Sequence, residues 1–476
     1  MPDDIPGGPA WRSPVAPVGD ARYVDRRMDP PRHDPDAGGP VQAAVAALSG
    51  RAGGPGLPPP EGLGVVVDRL VAEVGRHSTR LGHGVLVDPM ALLVARARLD
   101  GLRRRGPFNC GGSARLMPAA DGWVVANLAR PDDWDLVDAW IQPSSPIRRG
   151  RWDAVVAEVA RHATEALVER AVLVGLPAAG VGERALATPS SPAPASDLPT
   201  ASRLHGVRAR RVHDGTTPGA LGDLLVVDLS ALWAGPLACA LLQWAGCRVV
   251  KVESERRPDG ARLGSPGFYS MLNGGKASVS LDLDSPLGRR RLDALVARAD
   301  VVVTAARPRA LEQLGLVADE WVGRAGTRVW LSITGYGTEA GSARRVAFGD
   351  DAAAAGGLVV WDERGPCFCG DAIADPLSGL AGASAVLAAL GQGGGWTVDV
   401  AMADVAAGCA SGRPGTGAGA GAEDDRAGAE DDRAGAGGVD GVAHGSWAAS
   451  RWPGSPPPVH GLGADTERVL AVLGIG

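Results

Sequence analysis

Apolar runs and amphipathic stretches alternate along residues 221–408 of the chain. The predicted strands are the β-rich or alternating runs 224–229, 248–252, 279–283, 300–303, 329–333 and 397–402. Between them the apolar spacing predicts helices, among them 236–244, 287–299 and 377–390. Strands separated by helices indicate a parallel sheet that is covered on both faces, with right-handed crossovers. We therefore predict a large α/β domain over residues 221–408.

Residues 61–190 carry a different mixture of patterns and predict a small α+β domain. Its predicted elements are helices over 65–74, 90–102 and 152–174, and a strand over 123–126 that follows a turn. A stretch rich in proline and serine comes next, and we predict a linker over 191–220.

Three further segments complete the predicted organisation. Residues 1–60 are rich in Pro, Gly, Asp and Arg and are predicted to be mostly disordered. Residues 409–458 are predicted to form a low-complexity disordered loop, because they repeat Ala-Gly-Ala-Glu-Asp-Asp-Arg at 420–426 and 427–433 with few large apolar side chains. A C-terminal helix is predicted within 459–476.

Composition narrows the possible functions. A chain of 476 residues and 48.4 kDa is long enough for two or three domains. Its formal net charge of −6 argues against a general nucleic-acid binder, and its six cysteines form no Cys-x-x-Cys pair, so we predict neither a disulfide scaffold nor a metal site. The longest apolar runs are shorter than a bilayer span and no signal peptide is evident, so we expect a cytoplasmic protein with no membrane partner.

Two common chemistries fit the large domain poorly. Glu253 ends a predicted strand as a ribose-binding acid would, but the preceding segment 230–236 has one glycine where a dinucleotide fingerprint has three. A serine or cysteine nucleophile paired with histidine is also disfavoured, because no histidine lies between His213 and His444. Carboxylates are the remaining candidates.

Asp375 is the most informative of these carboxylates, because it directly precedes Pro376 and an apolar helix. One interpretation is a helix N-cap. The other is a nucleophile, since a free aspartate is ionised at neutral pH and the positive end of a helix stabilises developing negative charge. Asp350, Asp351 and Asp371 are nearby in sequence, and we expect Asp371 to lie on the surface or to assist through a hydrogen bond.

Residues 223–408 resemble the large domain of the class III CoA-transferases, the CaiB/BaiF family. The resemblance rests on these stretches: Val227-Asp228-Leu229-Ser230, Ala234-Gly235-Pro236, Val249-Val250-Lys251-Val252-Glu253, Asp259-Gly260-Ala261-Arg262, Asn273-Gly274-Gly275-Lys276, Ala299-Asp300-Val301-Val302-Val303, Arg307-Pro308, Ser332-Ile333-Thr334-Gly335-Tyr336-Gly337, Asp375, Ser378-Gly379 and Val398-Asp399-Val400-Ala401-Met402. Such a domain has a Rossmann-like parallel sheet.

The resemblance implies a function and a mechanism. Family members transfer CoA from an acyl-CoA thioester to a carboxylic acid through an aspartate, which becomes first an acyl anhydride and then a CoA thioester. Asp375 matches that nucleophile. The stretches around the CoA nucleotide would contribute Arg262, Asn273, Lys276 and Arg307. No covalently bound cofactor is implied, coenzyme A enters as a substrate, and family members form interlocked homodimers.

Departures from the family pattern leave two alternatives open. Racemases of α-methylacyl-CoA thioesters share the fold but use a Gly-His-Asp step, where this chain has Gly349-Asp350-Asp351, and the tyrosine of many transferases is absent there as well. The small domain also precedes the large one here, since residues 105–190 resemble the family's small domain. The alternatives are therefore an acyl-CoA racemase or epimerase and a non-catalytic paralogue that binds CoA.

Overall fold

The computed structural model describes residues 39–185, 197–198, 205–324, 327–411 and 457–476. The strands are β1 Ala114–Pro118, β2 Trp123–Asn127, β3 Ala178–Gly180, β4 Val207–His213, β5 Leu225–Leu229, β6 Arg248–Ser254, β7 Ala277–Leu281, β8 Val301–Thr304, β9 Val329–Thr334, β10 Val359–Asp362, β11 Gly365–Phe368 and β12 Gly395–Ala401.

Sixteen α-helices connect and cover these strands in the described residues. They are α1 Pro40–Ala46, α2 Gly62–Arg80, α3 Pro89–Leu93, α4 Ala95–Asp100, α5 Val137–Ile141, α6 Trp152–Val159, α7 Thr164–Val174, α8 Ala234–Trp244, α9 Pro266–Asn273, α10 Pro286–Val296, α11 Pro308–Gln313, α12 Ala318–Gly323, α13 Gly349–Ala355, α14 Ala374–Gln392, α15 Met402–Ser411 and α16 Thr466–Val472.

Seven strands form the large sheet in the order β4-β12-β9-β8-β5-β6-β7. Every neighbouring pair is parallel except β4, which pairs antiparallel with β12. This confirms the predicted α/β fold with a mostly parallel sheet. The strand order reverses between β5 and β8, and in sheets of this kind ligands bind at the carboxyl ends of the strands beside that reversal.

Helix α14 is the central helix of the fold. Sixteen of its nineteen residues are buried, and it packs against α8 and α2. It is apolar on all sides because it lies inside the core. By length and composition it could also cross a membrane, but 89% of its most apolar window is buried within this fold.

Helix α2 of the N-terminal region packs into the same core as α14. Leu63, Val67, Leu70 and Val74 form the apolar face of α2 and join the same buried cluster as the residues of α14. A second, smaller core surrounds Trp140, whose indole N–H donates to the Leu167 carbonyl oxygen at 2.9 Å. This core holds one face of the antiparallel sheet β1-β2-β3 together with helices α5–α7, and the small-domain bounds 61–190 stay a prediction.

Several elements differ from the sequence prediction. Strand β4 lies inside the predicted linker 191–220 and forms an edge of the sheet, where only Val207 and Ala209 are buried and the three arginines are partly or fully exposed. Helix α1 lies inside the segment predicted to be mostly disordered, and it buries Val41 and Val45. Helical spacing alone could not separate α3 from α4, because the apolar pattern continues across Val94.

The predicted helix 152–174 is interrupted and forms α6 and α7. The interruption is stabilised by Asp121 in the β1–β2 turn, whose carboxylate accepts the backbone N–H and the hydroxyl of Thr164, each at 2.8 Å. A cap supplied from a distant turn leaves no local signal in the sequence. The C-terminal helix is confirmed as α16, whereas residues 1–38 and the repeat at 420–433 lie outside the described residues.

Candidate active site

Asp375 lies in the first turn of α14, at the carboxyl edge of the large sheet. Helix α14 leads into β12 and runs antiparallel to it, so its amino end faces the same edge as the strands' carboxyl ends. The site is close to the start of α8, because a side chain added at Gly379, one turn into α14, would lie 2.8 Å from the Ala234 carbonyl oxygen. Asp375 is therefore close to the loop that follows β5, where the strand order of the sheet reverses.

The Asp375 carboxylate does not cap its own helix. Residue Ile373 is the N-cap of α14, and no side chain makes a capping hydrogen bond there. The Asp375 carboxylate instead accepts the backbone N–H of Gly349, the first residue of α13. The N-cap interpretation is thus wrong, and the carboxylate is turned toward a different segment.

Close backbone approach requires glycine at position 349. A β-carbon built there would lie 2.3 Å from Oδ2 of Asp375 and 2.4 Å from the Ala372 carbonyl oxygen. Both distances are far below van der Waals contact, so any side chain would displace the Asp375 carboxylate or the backbone beside it.

Asp371 is buried, contrary to the expectation that it lies on the surface. Its carboxylate pairs through both oxygens with Arg96 of α4, which donates from Nε at 2.8 Å and from Nη2. The Arg96 guanidinium also lies over the Trp233 ring, 5.2 Å from its centroid. The link between Asp371 and Ile373 is Ala372, which adopts a φ of 43°, a left-handed conformation that costs energy for alanine.

Asp350 and Asp351 of α13 are also buried, and each accepts a hydrogen bond from a side-chain amide in the N-terminal half of the chain. Asn109 donates to Oδ2 of Asp350 at 2.6 Å, and Asn127 donates to Oδ1 of Asp351 at 3.1 Å. Ser113 links the two amides by donating to the Asn127 oxygen at 2.9 Å. The result is one hydrogen-bonded relay between the small sheet and α13.

Burial raises the pKa of every carboxyl for which a shift is evident in this cluster. It raises the pKa of Asp375 to about 7; Arg96 and the Gly349 N–H oppose this increase, and Asp350 and Asp371 add to it. The pKa of Asp350 rises to about 6 and that of Asp351 to about 8, again mainly through burial. Asp375 is therefore not fully ionised at neutral pH as a free aspartate would be, although its partial exposure lets water moderate the increase.

The four candidate CoA-binding residues occupy two different environments. Lys276 is buried and donates to Asp228 at 2.9 Å, to the Pro236 carbonyl oxygen at 2.9 Å and to Asn273 at 3.1 Å, which uses all three of its N–H groups. Asn273 is buried with it. Neither residue has its polar end free for a ligand in this arrangement.

The two candidate arginines are more accessible. Arg262 follows β6, pairs with Glu253 at 2.5 Å and lies 4.7 Å from the Tyr269 ring centroid. Arg307 is exposed directly before α11, beyond the carboxyl end of β8. These arginines follow the strands on either side of β5, next to the strand reversal.

Comparison with known proteins finds a match for the large-sheet part of the chain. Residues 221–448 match the model of CoA-transferase family III. Through these residues, just under half of the chain, the protein is similar to CoA-transferase family III. The resemblance seen in the sequence is thereby confirmed.

Relatives in this family are named for several acid substrates. The chain is 30% identical over 199 residues to a succinyl-CoA–D-citramalate CoA-transferase of Chloroflexus aurantiacus, covering 39% of this chain and 50% of the relative. It is 32% identical to a formyl-CoA:oxalate CoA-transferase of Streptomyces coelicolor (39% and 48%) and 31% identical to the human succinyl-CoA:glutarate CoA-transferase (36% and 42%). The chain spans about half the length of these relatives.

A solved structure is also similar to part of the chain. The crystal structure of Rv3272 from Mycobacterium tuberculosis is 32% identical, with a TM-score of 0.37, over 42% of this chain and 57% of that one.

Several residues of the acid cluster lie outside the segment that matches the family. Arg96, Asn109 and Asn127 come from α4, the loop before β1, and β2, whereas the carboxyls come from residues 350–375. Sequence reasoning missed these three residues. All but two of the 48 basic residues are arginine, so nothing distinguished Arg96 from a surface charge.

Proposed function

We propose that this protein is a CoA-transferase that moves CoA from an acyl-CoA thioester to a carboxylic acid, with Asp375 as its nucleophile. The observation that carries the proposal is the position of the Asp375 carboxylate. It lies in the first turn of a 19-residue helix, points away from that helix's own backbone and remains partly exposed. The match of residues 221–448 to the CoA-transferase family III model supports this reaction class.

The proposed reaction conserves charge at every step and needs no external base. An Asp375 oxygen attacks the thioester carbonyl carbon, the C–S bond breaks, and CoA leaves as a thiolate from an acyl-aspartyl anhydride. The thiolate attacks the Asp375 side-chain carbonyl carbon and releases the donor acid as a carboxylate. The acceptor carboxylate then attacks the carbonyl carbon of the aspartyl thioester, and the CoA thiolate leaves from a second acyl-aspartyl anhydride. The thiolate attacks the acceptor's carbonyl carbon in this anhydride, which forms the new acyl-CoA and restores the Asp375 carboxylate.

The amino end of α14 supports this chemistry electrostatically. Charge develops on the carbonyl oxygen and then on the departing sulfur, and a helix amino end carries about half a positive charge in partial dipoles. A protonated Asp375 cannot attack. Because burial raises its pKa to about 7, we expect the acylation rate to rise as pH increases through neutrality.

Arg262 and Arg307 are the residues that we propose to contact the CoA phosphates. Both lie beside the strand reversal at the carboxyl edge, where ligands of such sheets bind. Guanidinium groups pair with phosphate through two parallel hydrogen bonds. For Asn273 and Lys276 we propose a supporting role, because their hydrogen bonds hold the start of α8 and the end of α9 in place.

Trapping with hydroxylamine tests the proposal. The protein is incubated with a panel of acyl-CoA and acid pairs that includes succinyl-CoA with glutarate and formyl-CoA with oxalate, since relatives carry those names. Peptide mass spectrometry should locate an aspartyl hydroxamate at Asp375. The Asp375→Asn variant should form none, and Asp135→Asn, a surface control whose side chain is 76% exposed, should form as much as the wild type.

Two results would contradict the proposal. One is a hydroxamate yield that persists in Asp375→Asn. The other is exchange of the α-proton of an acyl-CoA in deuterated water with no loss of thioester, which would identify an acyl-CoA racemase or epimerase. Binding of CoA without either reaction would indicate a non-catalytic paralogue. The homodimer implied by the family resemblance stays a prediction, and light scattering of the purified protein tests it.

A further inference from the structure

A buried acid cluster needs positive charge, and here that charge comes from outside the family-matched segment. Asp350, Asp351, Asp371 and Asp375 converge around the amino ends of α13 and α14. Within the described part of the chain, Arg96 is the only basic side chain that forms an ion pair with any of the four. Arg96 belongs to α4, whereas the family model begins at residue 221.

The geometry fixes the Arg96 guanidinium from two sides. Its edge donates two hydrogen bonds to Asp371, which is fully buried, and its face lies over the Trp233 ring. Trp233 is itself held edge-to-face against Phe268, with ring centroids 4.8 Å apart. A planar guanidinium can make the paired hydrogen bonds and the ring contact together, whereas a lysine ammonium would lose the paired geometry.

We propose that Arg96 is a positioning residue for Asp375: through its pairing with Asp371 it holds the loop before α14 in place and keeps positive charge next to the nucleophile. Asp371 and Asp375 are four residues apart in one loop and helix start, and the strained Ala372 lies between them. Anchoring Asp371 to α4 therefore fixes the position of Asp375 at the start of α14. The inference rests on the proposed function.

Electrostatics supports the same role. The charged groups that act on Asp375 are Arg96 from α4, Asp350 from α13 and Asp371 from its own loop. Arg96 lowers the pKa of Asp375 more strongly than Asp371 raises it. Removing the guanidinium therefore shifts the pKa of Asp375 upward, even when Asp371 becomes protonated and its repulsion disappears.

The test measures the ionisation of Asp375 directly and does not depend on turnover. A carbodiimide with a small amine labels protonated carboxyl groups, so the yield at Asp375, followed by peptide mass spectrometry from pH 5 to pH 9, traces its titration. We expect the Arg96→Gln midpoint to lie about one pH unit above that of the wild type. At pH 7 the ionised fraction would then fall about fivefold.

A matched control and a conservative variant separate positioning from simple folding damage. Arg98→Gln alters an exposed arginine on the same helix and should leave the titration unchanged. Arg96→Lys keeps the charge but loses the paired hydrogen bonds, and its midpoint should lie between those of the wild type and Arg96→Gln. In the transferase assay Arg96→Gln should lower kcat with a smaller effect on KM, and raising the pH should recover part of the loss.

The outcomes are distinct from those that test the function itself. If Arg96→Gln and Arg96→Lys both titrate like the wild type, the proposed role of Arg96 is wrong. If Arg96→Gln does not fold, Arg96→Lys decides on the same criterion. A wild-type protein that gives no hydroxamate with any acyl-CoA would contradict the proposed function, while the labelling curves would still report on Arg96.

Discussion

Two buried polar clusters lie at the carboxyl edge of the large sheet, and they differ in how well positive and negative charges are balanced. In the first, Lys276 pairs with Asp228 and Lys251 pairs with Asp259, each at 2.9 Å. In the second, only Asp371 of the four carboxyls forms an ion pair in the described residues, and its partner is Arg96. Burial opposes ionisation of Asp228, but the two lysines overcome it and lower its pKa to about 2. In the acid cluster the pKa values rise instead.

From this difference we propose that the cluster with matched charges is structural and the acid cluster is functional. A buried pair with matched charges is satisfied, and it ties strands and helices together. A cluster with excess carboxyls is destabilising and persists where it serves chemistry. The left-handed Ala372 and the close contact at Gly349 occur in the same cluster, so strain and unbalanced charge coincide there. The predictions below test this division, beginning with the largest effect.

Replacing Asp375 should separate activity from stability most completely. Asp375→Asn keeps the side-chain size but cannot form the anhydride, so we expect at least a 10³-fold loss of CoA transfer. The free energy of unfolding should stay equal or increase, because a buried ionisable group is removed. Steady-state kinetics and urea unfolding on the same preparation measure both. A large loss of stability would assign Asp375 a structural role instead.

Lys276→Met should show the reverse pattern. Removing the ammonium leaves the Asp228 carboxylate buried without its counter-charge, and breaking such a pair costs about 3–5 kcal/mol of unfolding free energy. The activity of the molecules that remain folded should be retained within about threefold, since Lys276 holds the scaffold. Arg290→Met on the exposed side of α10 is the matched control and should change stability by less than about 0.5 kcal/mol. A tenfold loss of affinity for CoA at unchanged stability would instead make Lys276 a ligand contact.

Gly349→Ala should displace the carboxylate of Asp375, the proposed nucleophile, without changing its chemical structure. The new β-carbon must displace either the Asp375 carboxylate or the Ala372 carbonyl, which it would approach to 2.3 and 2.4 Å. We expect a 10- to 100-fold lower rate and a stability loss of about 1–3 kcal/mol. Gly391→Ala near the end of α14 meets no atom within 4 Å and serves as the control. Equal effects of the two substitutions would argue against the close contact at Gly349.

The sequence was sufficient for the sheet and for the nucleophile candidate, because both leave local signals. Alternating apolar runs mark strands such as β5 and β8 wherever they pair, and Asp375 precedes a proline and an apolar helix. Edge strand β4 was missed because an edge strand has one exposed side and three of its seven residues are arginine. The apolar face of α2 predicts a helix, but the pattern does not indicate which core that face packs against.

The acid cluster was beyond sequence reasoning for a different reason. Arg96 and Asp371 are 275 positions apart, and Asn127 and Asp351 are 224 apart. Only the folded chain brings them together. Arginine is too common here to mark such a site, whereas asparagine, with only three residues in the chain, is a rare residue that the sequence prediction did not use at position 127. The pKa of Asp375 follows from that assembly, so the expectation of an ordinary ionised aspartate could not be corrected from its own segment.

The smallest expected effect that distinguishes the two clusters is the pH dependence of the free energy of unfolding. The native pKa values of Asp350, Asp351 and Asp375 exceed that of a free aspartate, so between about pH 4 and pH 8 the native state binds more protons than the unfolded chain. The free energy of unfolding should therefore fall as pH rises through this window. His77, whose pKa is lowered by burial, opposes this trend near pH 6, whereas Asp228 contributes only below about pH 4.

Asp351→Asn isolates one part of that slope. Asp351 has the pKa of about 8, and its Oδ2 has no hydrogen-bond partner in the described residues, so the amide resembles the protonated native form. The variant should lose about 1 kcal/mol per pH unit of the slope between pH 5 and pH 7. Urea unfolding at half-unit pH intervals measures it, with Asp284→Asn at an exposed position as the control. An unchanged slope would mean that Asp351 is ionised in the native state, and the excess of carboxyls in this cluster would then be compensated by another charge.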